Sequence, residues 1–284
     1  MKNLLNAGVG PGLVWLALLS IILLPSPATA TSKTAQAGNV KAELAYQKAN
    51  TELTQFNDLR LKITRGGKTL LDQPLPDSEG NWPLVALGTD WAKENAQAAF
   101  QVRDLDGNQE PEVLIDLFTG GAHCCTYTLI YRYNPKTQTY SADRFEWGNG
   151  GYQLQDLDKN GVPEFNGRND AFAYAFGSYA ASGYPLQIWQ YRQGKMVDVT
   201  RQYPKLIHND AYFWWQTFVE RQNDGVEYGK GALAAYLADK YLLGQGQDGW
   251  QKVQKAYKGP DRQQYFTELR RFLRQTGYIS GKSR

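Results

Sequence analysis

Two short acidic stretches of one design constrain this chain more than any other feature: Asp104-Leu-Asp-Gly-Asn-Gln-Glu-Pro-Glu112 and Asp156-Leu-Asp-Lys-Asn-Gly-Val-Pro-Glu164, at a period of 52 residues. Oxygen-bearing side chains fall at positions one, three, five and nine. They are Asp104, Asp106, Asn108 and Glu112 in the first copy, and Asp156, Asp158, Asn160 and Glu164 in the second. A loop curling around Ca2+ turns alternate side chains inward and adds the main-chain carbonyl of position seven, here Glu110 and Val162, toward about 6 to 8 oxygen ligands. The competing reading is a polar turn, since Asp, Asn and Gly favour turns by bonding their own backbone and tolerating left-handed conformations. Repetition of the same four positions favours the cation, and Ca2+ is the expected cofactor. Neither loop is an EF-hand, which needs Gly at position six and Glu at position twelve; these positions hold Gln109 and Ile115 in the first copy, and position twelve is Gly167 in the second.

The flanks place the loops. Ala98–Val102 before the first loop and Val113–Phe118 after it are apolar, with β-branched and aromatic residues, and read as strands. With strands on either side, the loops resemble the calcium repeats of the FG-GAP or VCBS type, whose pattern runs roughly D-x-D-x-[DN]-G-x-x-[DE]. In the first copy Gly107 precedes Asn108 instead of following it, and a proline precedes the last acid in both copies. The resemblance covers two repeats and implies a Ca2+-stabilised β module; it carries no activity.

After each loop comes a strand, a glycine-containing connector, an aromatic strand and a turn: Tyr127–Tyr133 with Asn134–Thr137, then Tyr184–Tyr191 with Arg192–Lys195. Four strands per unit is the content of a propeller blade. Closed propellers need about 4 to 8 blades, however, and two units plus a hairpin at Leu59–Leu71, turned by Gly66-Gly67, predict a partial propeller-like or β-sandwich module. Thr31–Asn39 reads as a polar lead-in, Val40 begins a strand, and Trp91–Ala99 holds one helical turn.

Past Pro204 the period becomes helical. Asn209 or Asp210 caps a helix to Glu220, Gly229–Leu243 and Asp248–Tyr257 follow, and Pro260 opens a fourth over Asp261–Gln275. The stripe Tyr212, Trp215, Phe218 and Val219 is expected to be core. The fold class is therefore mainly β with an α-helical C-terminal part, a small helical bundle. The expected domains are a signal peptide over 1–30, a β-rich domain over 31–204 and a helical region over 205–284.

Lys2, the apolar run Leu13–Leu24 and the small residues Ala28-Thr-Ala30 form a secretory signal. The apolar run is shorter than the roughly 20 residues of a membrane span. The mature chain is expected to be exported, periplasmic or extracellular, with no membrane span after cleavage. A net charge of +3 without a basic cluster gives no footprint for nucleic acid. Partners are expected among envelope glycans or proteins.

Both cysteines, Cys124 and Cys125, are adjacent in Gly120-Gly-Ala-His-Cys-Cys125. They form a strained vicinal disulfide or stay as buried thiols, because neighbouring α-carbons are about 3.8 Å apart and ordinary disulfides span roughly 4.4 to 6.8 Å. With only His123 and His208, a Ser-His-Asp site is disfavoured. No catalytic set stands out, so the leading function is an exported calcium-binding structural or binding module. The alternative is an envelope glycan or peptide hydrolase using paired carboxylates, drawn from Asp143, Glu146 and Asp170.

Overall fold

The computed structural model describes residues 30–48, 56–75, 85–86, 99–121, 124–221 and 226–279. The first sheet has strands β1 (Ala30–Ala37), β2 (Val40–Lys48), β3 (Phe56–Arg65) and β4 (Lys68–Pro74) in sequential antiparallel order. The second orders β5 (Val85–Ala86), β7 (Glu112–Gly121), β8 (Cys124–Asn134) and β9 (Thr139–Gly148), with β6 (Phe100–Arg103) also on β7. The third orders β10 (Tyr152–Gln155), β11 (Glu164–Arg168), β12 (Leu186–Arg192) and β13 (Lys195–Asp198). Helices α1 (Pro204–Arg221), α2 (Val226–Leu242), α3 (Gly246–Ala256) and α4 (Arg262–Gln275) follow. The chain is thus mainly β with four C-terminal helices, and among the described residues the sheets close into no barrel.

Strand alternation sets the order of the layers. On β7, Val113, Ile115 and Leu117 join Val40, Leu44, Leu61 and Ile63 in a core between the first and second sheets. Leu114, one residue out of phase, points to the opposite face and joins Ile130, Trp147, Phe165 and Tyr191 between the second and third sheets. The far face of the third sheet, through Leu186 and Ile188, meets Ile207 of α1. The helices then enclose their own core around Leu233, Leu237, Tyr265 and Leu269, into which Phe172 also packs. Three sheets and a bundle are stacked in series, each layer burying one face of the next.

The Gly66-Gly67 hairpin forms as expected, with φ of 53° and 82°. Other expectations need correction. Thr31–Asn39 is no loose lead-in, because Ala30–Ala37 is paired residue for residue with β2. The first helix starts at Pro204, whose fixed φ and missing N–H suit a first helical position. Asp210 is accordingly no cap; it lies inside α1, 6 % exposed and ion-paired to Arg168. The α1 stripe is split: Phe218 is buried and Trp215 packs against it, whereas Tyr212 and Val219 are exposed. The signal segment up to residue 29 and the turn over residues 91–98 lie outside the described residues.

Candidate functional site

The two acidic loops are connectors, β6 to β7 and β10 to β11. They share one backbone path, with left-handed residues at positions four and six: Gly107 (φ 74°) and Gln109 (φ 67°) in the first, Lys159 (φ 63°) and Gly161 (φ 90°) in the second. Each loop spends its one glycine on a different member of that pair. The shifted glycine of the first copy therefore leaves the geometry unchanged, at the cost of one non-glycine residue with positive φ.

Side-chain bonding repeats as well. Asp104 accepts the amides of Gly107 and Gln109, each at 2.8 Å, and Asp156 those of Asn160 and Gly161 at 3.0 and 2.9 Å. Asn108 and Asn160 accept the amides of Glu110 and Val162. Glu112 and Glu164 reach back to the amides of Leu105 and Leu157, at 3.0 and 2.9 Å. Carboxylate oxygens of Asp104, Asp106 and Glu112 lie within 4.8 Å of one another, as do those of Asp156, Asp158 and Glu164. The loops also touch: a Cβ on Gly107 would fall 2.8 Å from Cγ2 of Val162. The Glu110 side chain is turned away into a two-point ion pair with Arg65 of the first sheet.

The loops differ in what remains unmet. Glu164 is fully buried, and Gln190 Nε2 donates to its Oε1 at 3.0 Å. Burial, together with the neighbouring Glu164 carboxylate, raises the pKa of the Tyr203 phenol. Glu112 is 1 % exposed; among the described residues no donor reaches its Oε1, nor Oδ1 of Asp106, and both atoms are buried. Burial pushes the Glu112 carboxyl up to about 8, opposed by the Leu105 amide and reinforced by the Asp106 and Asp104 carboxylates. A buried charge without partners is costly and requires neutralisation. Three converging carboxylates with two empty acceptor oxygens suit a hard cation with oxygen ligands.

The other expected site residues are not brought together. Asp143 and Glu146 lie on opposite faces of β9, the first accepting from Tyr191 at 3.1 Å and the second paired with Arg144. Asp170 accepts twice from Asn149, at 3.0 and 2.9 Å. Cys125 is disulfide-bonded and its amide donates to Thr119 Oγ1 at 2.8 Å. His123 and the Cys124 side chain lie outside the described residues, and His208 is exposed. Sequence reasoning missed a buried pair, Asp210 against Asp239, joined from α1 and α2. Asp239 is fully buried, and burial with the neighbouring Asp210 lifts its pKa well above the ordinary carboxyl range. The only sequence signal was an acid inside the apolar stretch Ala232–Leu242.

Residues 207–277, from the first turn of α1 to just past α4, match the family model of the sll0997 C-terminal domain. The chain is 32% identical over 224 residues to a probable thylakoid lumen protein, sll0997, of Synechocystis sp., covering 78% of this chain and 61% of the relative. It is 26% identical over 224 residues to the uncharacterized protein y4bJ of Sinorhizobium fredii, covering 78% of this chain and 33% of that protein. The chain thus spans less than two thirds of either relative. No solved structure matches it. These findings overturn the resemblance to FG-GAP or VCBS repeats, because the matching family and relatives are of another kind. The resemblance rested on the spacing of two short loops, and oxygen donors at alternate positions are what any hard-cation loop, or an Asx-rich turn, presents.

Proposed function

We propose that the chain is an exported, non-enzymatic structural module that binds Ca2+ in its first acidic loop. The observation that carries this reading is the buried Glu112 carboxylate, whose Oε1 meets no donor among the described residues while Asp104 and Asp106 converge on it. The ion would be held by Asp104, Asp106 and Glu112, with Asn108 and the Glu110 carbonyl as the remaining loop donors. Bound Ca2+ supplies positive charge that offsets the three carboxylates. The protein's own part is positional: the amides of Gly107 and Gln109 fix Asp104, Leu105 N–H fixes Glu112, and Arg65 draws Glu110 aside. Because the loop joins β6 to β7 in the middle layer, the ion would stabilise the contact between sheets, and folding free energy would depend on it. The second loop, whose glutamate is satisfied by Gln190 and the Leu157 amide, serves as a metal-free copy of the same turn. Export is supported by the amino-terminal apolar segment and by the lumenal location in the name of the Synechocystis relative.

The test is thermal unfolding with excess Ca2+ and with chelator, for the native chain and Glu112→Gln. The reading requires a higher melting temperature with Ca2+ in the native chain and none in the variant. A calcium shift that survives Glu112→Gln places the ion elsewhere.

A further inference from the structure

Aromatic residues gather at one seam of the molecule that the calcium loop does not touch. The segment between β11 and β12 packs on α2 at Gly231 and is held by Phe172 and Phe176 in the helical core. It carries three tyrosines in a row, with ring centroids 5.9 Å apart for Tyr174 and Tyr179 and 6.3 Å for Tyr179 and Tyr184. Opposite them on α1, Phe213 and Trp214 lie 5.0 Å apart. Between the two rows is a cleft of about 300 Å³, lined by Tyr179, Tyr184, Phe213, Trp214, Arg168 and Asp170, at the lower end of the range for small-molecule sites. Tyr174, Tyr179 and Phe213 are 50, 37 and 54 % exposed. Large aromatic side chains on this scale of exposure mark contact surfaces when they cluster.

The polar groups of the cleft are fixed before any ligand arrives. Asp170 is gripped by the Asn149 amide and carboxamide, and Arg168 is anchored on Asp210 and the Tyr184 carbonyl. The segment itself is pinned by two glycines in backbone contact, since a Cβ on Gly231 of α2 would fall 2.0 Å from the Ala181 carbonyl oxygen. Tyr174 is held at a φ of 57°, a conformation costly for a bulky side chain.

We propose that this cleft binds a neutral oligosaccharide, with sugar rings stacked on Tyr179 and Phe213 and hydroxyls hydrogen-bonded to Arg168 and Asp170. Flat aromatic faces match the apolar face of a sugar ring, and a planar donor beside a planar acceptor matches neighbouring hydroxyls. A guanidinium and a carboxylate in one lining oppose ligands of either net charge. A purely apolar chain would strip water from both groups and offer them no hydrogen bond in return.

The experiment is saturation-transfer NMR and calorimetry on the full chain with maltotriose, cellotriose and triacetylchitotriose, repeated with Tyr179→Ala and Phe213→Ala. Both side chains are exposed, so the variants keep the native melting temperature. At least one sugar is expected to bind, about 10-fold more weakly or worse in each variant, with chelator making no difference. Absence of transfer from all three sugars, binding unchanged in both variants, or Phe213-dependent binding of tetramethylammonium in place of sugars would each overturn the proposal.

Discussion

Glu112 and Glu164 occupy the same ninth position of two equivalent loops and each accepts the position-two amide, yet among the described residues only Glu164 has a donor on its other oxygen, Gln190 Nε2 at 3.0 Å. The difference comes from the layers they face. Glu112 shares the phase of Leu114, which points toward the third sheet. Glu164 pairs across the ladder with Gln190 and meets Tyr203 from the turn that opens the helical layer. One turn design therefore gives two electrostatic outcomes.

Removing either glutamate should separate them. Glu164→Ala orphans the Leu157 amide and the Gln190 carboxamide, and should lower stability by about 1–3 kcal/mol with or without Ca2+. Glu112→Gln removes repulsion among buried acids, so in chelator its melting temperature should equal or exceed that of the native chain. Calorimetric melts of both variants in both buffers give the comparison.

Asp239 predicts a pH dependence from the helical core. Its carboxyl pKa is raised in the folded chain by burial and by Asp210, so the stability it contributes is fully present below the ordinary carboxyl pKa. That contribution is lost as pH rises through the raised value. Asp239→Asn, neutral and of similar shape, should flatten this decline and be the more stable chain at alkaline pH. Urea denaturation across about pH 4 to 9 reads the slope, and parallel slopes for the two chains would show that Asp239 does not set it.

Arg65 ties the first sheet to the first acidic loop by its two-point pair with Glu110 and by its position 4.4 Å from the Tyr133 ring centroid. Arg65→Ala should cost roughly 1.5–3 kcal/mol, as for a hydrogen bond to a charged group, because pair and ring contact are both half-buried. Arg65→Lys should recover only part, since an ammonium lacks the planar fork.

Gly231 and Gly183 let α2 and the tyrosine segment meet backbone to backbone; a Cβ on Gly183 would fall 2.3 Å from the Gly231 carbonyl oxygen. Gly231→Ala should lower stability by about 1–3 kcal/mol or more, the scale of overpacking, and displace residues 179–184. Proteolysis within that segment, rising in the variant and not in the native chain, reports the displacement.

Much of this architecture was readable from periodicity. The Gly66-Gly67 hairpin, the loop-strand repeat and four helices follow from turn chemistry and from the change of hydrophobic period after Pro204. The three serial interfaces were not, because β7 buries both faces and its sequence reads as one apolar run. Nor could the sequence distinguish Glu112 from Glu164, whose difference lies in Gln190, a residue remote from the loop. The Asp210–Asp239 pair was hidden for the same reason: each acid looks like an ordinary polar residue until two helices bring them together. Spacing alone misled on family, where the helical residues 207–277 carried the match.

Calorimetric titration of the mature chain with Ca2+ tests the central claim most directly, run beside Glu112→Gln and Glu164→Gln. The account predicts one ion per chain, binding abolished by Glu112→Gln and retained by Glu164→Gln. No binding heat in the native chain, or binding that survives Glu112→Gln, would contradict it.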